Sequence, residues 1–176
     1  MSLWWVFALL LAERFYELRL AARNRRILLQ RGGREFFPES YRFIVLMHLV
    51  FLTSLILESY PWAIPIDLLT LISLGGVLLL QMARYWCVWS LKEYWNTRII
   101  LVPGAEVCRR GPYRFMRHPN YLVVIFEFAL LPLLARAPVT LVVFSIANLL
   151  VLRRRIFFEE QALRAHTDYS RHFRPG

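Results

Sequence analysis

The sequence is poor in the residues that build metal centres and disulfide frameworks. It contains two cysteines, Cys87 and Cys108, and their spacing matches neither a metal-binding motif nor a disulfide scaffold. No internal repeat and no low-complexity linker interrupts the chain. These absences argue against a disulfide-stabilised secreted domain, a repeat protein and a protein that binds a metal through clustered cysteines.

Lysine is almost absent, and the N-terminus lacks a basic leader. Lys92 is the one lysine among 22 basic residues, and the others are arginines, which bind carboxylates and phosphates bidentately and stack on aromatic rings. The first apolar run, LWWVFALLLAERFYEL, has no small-residue cleavage site. We therefore expect this run to stay in the mature protein.

Apolar residues, in contrast, are abundant. They make up 58% of the 176 residues, and the mean hydropathy is +0.44, whereas soluble domains usually contain about 45–50% apolar residues. The net charge is nevertheless +10. A soluble helical protein of this size would bury so many long apolar runs poorly. The composition favours membrane spans separated by basic loops, whose partners we expect to be anionic lipid headgroups rather than nucleic acid.

Five apolar segments are candidate membrane spans. They are Leu3–Leu20, Tyr41–Tyr60, Ile66–Leu91, Tyr121–Leu134 and Pro138–Leu152. A crossing helix needs about 20 residues, so the two short final segments predict a helical hairpin within the bundle. The basic tail that follows predicts an amphipathic helix at the membrane surface. The expected fold is an all-α integral membrane protein with five transmembrane helices and this additional C-terminal helix.

The distribution of basic residues predicts the orientation. Arginines are concentrated after the first, third and fifth spans, whereas the loop after the second span has none and the hairpin tip has only Arg136. The positive-inside rule then predicts five crossings, with the N-terminus outside and the C-terminus in the cytosol. The three basic segments should share one face. We expect a single domain, with a membrane region at 1–91 and a catalytic, cofactor-binding region at 92–176.

A basic aromatic stretch, GPYRFMRHPNY at residues 111–121, leads directly into the fourth span. Pro119 fixes its own backbone and disfavours the helical region for His118, so the helix should begin at the proline. Arg117 and Tyr121 then lie at the expected membrane boundary. Because tyrosine and arginine at such a boundary are common as simple anchors, this stretch alone does not define a site.

A second charged stretch, RRRIFFEE at residues 153–160, follows the fifth span. In a helix Arg155 and Glu159 are four residues apart and share a face, while Glu160 points about 100° away. One carboxylate can therefore pair with Arg155 while its neighbour binds a cation. On spacing alone, the simpler explanation is that the arginines mark the end of the membrane span and that the charged residues after them face solvent.

Polar side chains also occur inside the expected spans. Glu127 is the most demanding, because a comparable aspartate at the bilayer centre costs about 2.5–3.5 kcal/mol on insertion scales. We expect Glu127 to pair with Arg14 or Arg84, or to be protonated. His48 and Asn148 are further functional candidates, although hydrogen bonds between helices account for them equally well.

Together, the two charged stretches resemble the isoprenylcysteine carboxyl methyltransferase (ICMT) family of integral-membrane enzymes. That family shows a Gly-x-Tyr-x-x-x-Arg-His-Pro-x-Tyr element, a helical hairpin and an Arg-Ile-x-x-Glu-Glu element. The matching residues are Gly111, Tyr113, Arg117, His118, Pro119, Tyr121, Arg155, Ile156, Glu159 and Glu160. The resemblance covers about Trp95 to Tyr169. The N-terminal part looks like a bacterial branch that methylates long-chain polyketides such as alkylpyrones and alkylresorcinols, which implies a bacterial inner membrane.

The resemblance implies a methyltransferase that uses S-adenosylmethionine. It assigns the cytosol-facing cofactor pocket to Tyr113, Arg117, His118, Pro119 and Tyr121. It also assigns the cofactor's ammonium group to Glu160, with Glu159 as the alternative, and Arg155 matches the catalytic arginine. The sequence departs from the family at Val123, where glycine is common, and at Phe173, where the tail usually has tyrosine. These departures bear on the acceptor more than on the cofactor.

The reaction that this resemblance implies is an in-line displacement, in which the acceptor oxygen lies close to the methyl carbon. We expect Arg155 to hold that oxygen as an anion, and Glu159 or Glu127 to accept the proton of a phenol or enol. A prenylcysteine-like carboxylate would need no base. The lipophilic tail of the acceptor is expected to enter from the bilayer, while the cofactor enters from water.

Two other functions are compatible with the sequence. Some membrane sterol reductases that use NADPH have a similar C-terminal architecture, and a non-catalytic membrane interaction protein could retain the same scaffold. The Arg-Ile-x-x-Glu-Glu element favours the sulfonium cofactor over the nicotinamide. The sequence does not indicate the oligomeric state.

Overall fold

The computed structural model describes residues 1–172 as a helical bundle with a small sheet at one end. The long helices are α1 (Trp4–Gln30), α2 (Pro38–Glu58), α3 (Leu68–Leu91), α4 (Pro119–Leu134) and α5 (Pro138–His166), and a short α6 (Tyr169–His172) follows. Strands β1 (Arg34–Phe36) and β2 (Ile99–Leu101) pair antiparallel, with Glu35 opposite Ile100. Single turns of 3₁₀ helix occur at Lys92–Tyr94 and Gly111–Arg114. Phe173 lies outside the described residues.

Each expected span corresponds to a helix, but three features differ from the sequence prediction. The first helix continues ten residues past Leu20 and ends before Gly32, whose φ of +83° suits glycine. The fifth helix runs without a break from the hairpin into the tail, because no proline or glycine occurs at 139–166. The expected separate C-terminal helix is therefore the second half of α5. The β1–β2 pair also makes the all-α expectation wrong in detail.

Within the part of the chain that the structure describes, two helices are long and apolar enough to cross a membrane. These are α2 and α3 with its continuation to Tyr94, and only 22% of each apolar window is buried inside the protein. A core helix of a soluble protein would be mostly buried, so these helices present their apolar side chains outward. Helix α4 is apolar but has 16 residues, which reach about 24 Å and fall short of a bilayer core of about 30 Å.

One end of the bundle is closed by carboxylates that cap helix starts. Asp67 is the N-cap of α3 and accepts a hydrogen bond from the Thr70 N–H at 2.9 Å. Glu58, at the end of α2, accepts from the N–H groups of Val139 and Thr140 at 2.8 and 2.7 Å. These contacts satisfy donors that a helix start leaves unpaired, and they join α2 to the start of α5.

The three basic segments meet at the opposite end. The strand after α1 pairs with the strand after α3, and both lie beside the second half of α5. The Gly104 N–H donates to the His166 carbonyl at 2.9 Å, and the Val107 N–H donates to Asp168 at 2.8 Å. The expected common face is confirmed for these segments. Its assignment to the cytosol stays a prediction.

A buried network of ion pairs joins α1, α3 and α4 in the middle of the bundle. Glu127 binds Arg84 through both of its oxygens, and Arg14 donates to it at 3.0 Å. Glu17 accepts from Arg14 at 2.6 Å and from Arg84 at 3.1 Å. The expectation that Glu127 pairs with Arg14 or Arg84 is confirmed, because it pairs with both. Two arginines and two carboxylates balance, so the network carries no net charge.

The other two polar candidates make no hydrogen bond to a neighbouring helix within residues 1–172. The His48 ring bonds to the Ile44 carbonyl of its own helix at 2.8 Å. Asn148 is fully buried on α5, and its amide nitrogen and oxygen have no partner in the described part of the chain. The interhelical hydrogen bonds considered from the sequence therefore do not account for either residue.

Removing the central carboxylate should destabilise the bundle strongly. We expect Glu127→Ala to lower the unfolding free energy by about 3–5 kcal/mol, because it leaves Arg84 partly unpaired in an apolar interior. The matched control is Glu39→Ala, which breaks an exposed pair with Arg42 and should cost less than about 1 kcal/mol. Unfolding of the detergent-solubilised protein, followed by tryptophan fluorescence, measures both. Equal losses in the two variants would contradict the structural role of the network.

Candidate active site

A cavity of about 250 Å³ opens at the sheet end of the bundle. It lies between the five long helices and the segment at 94–108. Six of the nine site residues expected from the sequence line it: Tyr113, Arg117, His118, Tyr121, Arg155 and Glu159. Pro119, Glu160 and Glu127 do not belong to its lining. The structure thus brings the two charged stretches to one cavity, although the 31 residues at 122–152 separate them in the chain.

Local sequence fixes the turn before α4. Pro119 is the first residue of the helix, and His118 has φ −132° and ψ 59°, outside the helical region, as expected. Gly111 starts the preceding 3₁₀ turn with a φ of +55°. A Cβ atom there would lie 2.0 Å from the Ser90 hydroxyl, so only glycine lets this turn pack against α3. The turn carries Tyr113 to the cavity.

Arg155 is held in place by three separate segments. Its Nε donates to the Tyr121 hydroxyl at 3.3 Å, one Nη donates to the Ser40 hydroxyl at 2.5 Å, and the other donates to the Thr97 carbonyl at 3.1 Å. The residue is only 4% exposed. Because a guanidinium has five N–H donors, these contacts fix its plane and leave donors for an anionic ligand.

Tyr121 connects Arg155 to Glu159. Its hydroxyl accepts from Arg155 and donates to Glu159 Oε2. The expectation that Arg155 and Glu159 share a helix face agrees with this arrangement, but the tyrosine hydroxyl lies between the two charged groups. The result is a chain of hydrogen bonds from cation through phenol to carboxylate, and all three residues line the cavity.

Glu160 does not line the cavity but holds the turn before α4. It accepts from the Tyr169 hydroxyl at 3.0 Å and from Arg164 at 2.8 Å. It also binds His118 Nε2 at 3.2 Å, and Arg117 lies 3.6 Å away. Since a carboxylate only accepts, His118 carries its proton on Nε2. Of the two carboxylates considered for an ammonium group, Glu159 is the one that faces the cavity.

The charge state of Glu160 follows from its neighbours. Burial raises its pKa, but the hydrogen bonds from Tyr169 and His118 and the charge of Arg164 outweigh burial, so the pKa lies below the ordinary 4.5. Burial and the bond to Glu160 raise the pKa of Tyr169 to about 12. At neutral pH Glu160 is therefore ionised and Tyr169 is protonated, which keeps this contact intact.

Several groups in the lining fit the parts of S-adenosylmethionine. The Asn120 Oδ1 atom is buried and has no partner among the side chains that the structure describes, so it can accept an N–H or O–H of a ligand. Glu159 suits a cationic group, and Arg117 suits a carboxylate. The backbone at 97–102 and the apolar Leu163 line another wall, which suits a purine ring. The donor set therefore fits a zwitterionic cofactor with an aromatic base.

Four residues near this cavity were not assigned a role from the sequence. Ser40 and Thr97 fix Arg155, Tyr169 fixes Glu160, and Asn120 presents an unpaired acceptor. The first two are distant in sequence from both charged stretches, and a backbone carbonyl such as that of Thr97 leaves no side-chain signal. Asn120 could have been found, because it lies inside the RHPNY stretch.

The structure is an apolar helical bundle with a charged, aromatic cavity at one end, which agrees with an enzyme that works at a membrane. Sequence comparison makes the assignment more specific: the pattern of the isoprenylcysteine carboxyl methyltransferase (ICMT) family matches residues 70–165, and the chain belongs to this family. Membership implies an S-adenosylmethionine-dependent methyltransferase in an integral-membrane family. The matched range contains the whole cavity-facing part of α4 and α5 but leaves out α1 and α2.

Two relatives resemble the chain over almost its whole length. Uncharacterized protein YpbQ of Bacillus subtilis (strain 168) is 40% identical over 171 residues, which cover 93% of this chain and 98% of the relative. An uncharacterized protein of Haemophilus influenzae (strain ATCC 51907 / DSM 11121 / KW20 / Rd) is 28% identical over 158 residues, covering 89% and 92%. No solved structure matches the chain.

The contacts of Glu160 should make stability depend on pH. A carboxyl whose pKa is depressed by folding stabilises the protein above its unfolded pKa, and this contribution is lost as the pH falls through the folded pKa. At pH 7 we expect the wild-type protein to have a higher thermal unfolding midpoint than Glu160→Gln. The difference between the two midpoints should shrink below about pH 4.5. Tyr169→Phe should shift this loss to higher pH. A difference that stays constant from pH 7 to pH 3 would contradict the assignment.

Proposed function

We propose that this protein transfers the methyl group of S-adenosylmethionine to an oxygen of a lipophilic acceptor. Hydroxyl-bearing rings of the alkylpyrone or alkylresorcinol type are the preferred acceptor class, and prenylcysteine-like carboxylates are the second. The observation that carries the proposal is the chain from Arg155 through Tyr121 to Glu159 in the same cavity as Arg117 and His118. Family membership supports the cofactor but leaves the acceptor open.

The cofactor residues surround the turn before α4. When bound, S-adenosylmethionine supplies an electrophilic methyl group on a sulfonium. We assign its carboxylate to Arg117, and further contacts with it to Tyr113, His118 and Tyr121. Pro119 acts through the backbone, because it fixes the turn without lining the cavity. Glu160 acts indirectly as a positioning residue, since it holds both Arg117 and His118.

The acceptor oxygen is proposed to lie beside Arg155. The remaining N–H donors of this guanidinium stabilise an oxygen that carries negative charge, and the three fixed contacts preorganise them. Tyr121 and Glu159 provide the route for the hydroxyl proton, which ends on the carboxylate. The other oxygen of Glu159 is proposed for the ammonium group of the cofactor.

Glu127 is the less suitable of the two bases considered from the sequence. Both of its oxygens are engaged by Arg84, one of them also by Arg14, and it does not line the cavity. A carboxylate with two arginine partners is a weak proton acceptor. Glu159 is therefore our proposed base, and the catalytic role of Glu127 stays a prediction.

The position of the cavity suits a reaction between a water-soluble and a membrane-soluble reactant. We propose five crossings of a bacterial inner membrane, with the N-terminus outside and the sheet end in the cytosol. The outward apolar faces of α2 and α3 support contact with lipid, and the arginines at the sheet end support contact with anionic headgroups. The acceptor then enters from the bilayer and the cofactor from the cytosol.

A conservative change at Arg155 should abolish transfer without abolishing cofactor binding. We expect Arg155→Lys to lower kcat by about a hundredfold or more, because an ammonium cannot make three fixed contacts in one plane. The affinity for S-adenosylmethionine, measured by calorimetry, should change by less than about threefold. The matched control is Arg154→Lys, an exposed neighbour on the same helix. Wild-type turnover in Arg155→Lys would remove this residue from the mechanism.

Cofactor identity is tested by thermal stabilisation of the purified protein. We expect S-adenosylmethionine to raise the unfolding midpoint and NADPH to leave it unchanged. His118→Ala and Tyr121→Ala should weaken the binding of S-adenosylmethionine by about tenfold, since each removes one contact of the pocket. Stabilisation by NADPH alone would favour a reductase, and no stabilisation by either would favour a non-catalytic protein.

A further inference from the structure

The cavity has a second polar region that the two charged stretches do not supply. Arg14 and Glu17 of α1 and His48 of α2 line it, deeper in the bundle than Tyr121. All three lie outside the range that matches the family. They are therefore candidates for binding something other than the cofactor, whose expected residues all lie inside the matched range.

His48 presents a hydrogen-bond acceptor to this region. Its Nδ1 lies 2.8 Å from the Ile44 carbonyl, and because a carbonyl only accepts, Nδ1 carries the proton. The neutral ring then has an unprotonated Nε2 on the edge that points away from its own helix. The ring is fixed by edge-on packing against Phe128, with the centroids 5.0 Å apart. Its orientation is thus set by packing and by one hydrogen bond.

Arg14 presents donors to the same region. It is the most exposed member of the ion network, with 26% of its side chain accessible, whereas Glu17 and Glu127 are 6% and 2% accessible. Its two terminal nitrogens bind these carboxylates, which hold the guanidinium still. Because the network has no net charge, it does not repel a polar or weakly acidic ligand.

Beyond Arg14 and His48 the lining becomes mostly apolar. A small cleft of about 20 Å³ shares these two residues with the main cavity, and its other walls are Glu127 and the apolar residues Leu10, Phe51, Leu52, Phe128 and Leu131. Its lining follows the same helices one to two turns farther from the sheet end. From the sheet end into the bundle, the lining therefore changes from Arg155, Tyr121 and Glu159 to the pair Arg14 and His48, and then to mostly apolar side chains.

We propose that Arg14 and His48 bind a second hydroxyl on the ring of the methyl acceptor, which makes them specificity residues for a lipid whose ring carries two hydroxyls. A hydroxyl fits both groups at once, because it accepts from Arg14 and donates to His48 Nε2. A carboxylate has no proton to donate and would leave the imidazole unpaired.

This inference rests on the proposed function, since it places the acceptor in the same cavity as Arg155. The test compares two probes of equal chain length, a 5-alkylresorcinol with two ring hydroxyls and a 3-alkylphenol with one. We expect wild type to prefer the resorcinol by about tenfold or more in kcat/KM, because the phenol leaves a buried polar pair unsatisfied. In His48→Leu the preference should fall to near unity. Leucine keeps apolar contact with Phe128.

A binding measurement separates recognition from turnover. Without cofactor, the resorcinol should bind wild type about tenfold more tightly than His48→Leu, as followed by quenching of tryptophan fluorescence. His48→Gln keeps an acceptor oxygen and should restore part of the preference. The matched control is Thr53→Leu. Thr53 is an exposed polar residue of α2 that does not line the cavity. Like His48, it forms a hydrogen bond within its own helix, in this case to the Leu49 carbonyl at 2.9 Å.

The outcomes distinguish this subsite from the proposed function. An unchanged preference in His48→Leu, with normal binding of S-adenosylmethionine, overturns the subsite alone. Equal loss in His48→Leu and Thr53→Leu also overturns it, because the effect would then be structural. Failure of wild type to bind S-adenosylmethionine or to methylate either probe overturns the proposed function and the subsite together.

Discussion

A charged group inside an apolar bundle has to be paired, and this requirement organises the protein at two depths. In the middle, Glu127 and Glu17 bind Arg14 and Arg84, so that α1, α3 and α4 are joined by a network without net charge. At the sheet end, Arg155 is satisfied by neutral oxygens from other segments rather than by a direct ion pair. The first arrangement is closed, and removing one of its members would leave a buried charge unpaired. The second leaves a cation with unused donors beside a cavity, which is what a reactive site needs.

Much of the fold follows from hydropathy, since apolar runs long enough to form helices are unambiguous in the sequence. The pairing of Glu127 was also predictable, because a buried carboxylate has few possible partners. Three features were not predictable in this way. Short strands such as β1 and β2 depend on contact between segments about 65 residues apart. The extent of α1 and the unbroken course of α5 depend on the absence of a stop signal, which hydropathy does not register.

The site was predictable where side chains lie in the two charged stretches, and six of nine expected residues line one cavity. The helical spacing placed Glu159 and Glu160 on different faces, but it did not tell which face the cavity occupies. The contacts of Arg155 with Ser40 and the Thr97 carbonyl could not be predicted from the sequence, because they arise only when α2 and the segment after α3 pack against α5. The proposed roles of Arg14 and His48 depend on the same kind of long-range packing.

The continuity of α5 has a mechanical consequence. At about 1.5 Å per residue its 29 residues form a rod of about 43 Å, clamped by Glu58 at one tip and carrying Arg155 and Glu159 on its far half. Because Arg155 also ties the far half to Ser40 and to the Thr97 carbonyl, the rod is held at both halves and passes a change of tilt on to α2 and to the segment after α3. In a membrane, bilayer thickness influences helix tilt, so it would act on the surroundings of the cavity through this one continuous helix.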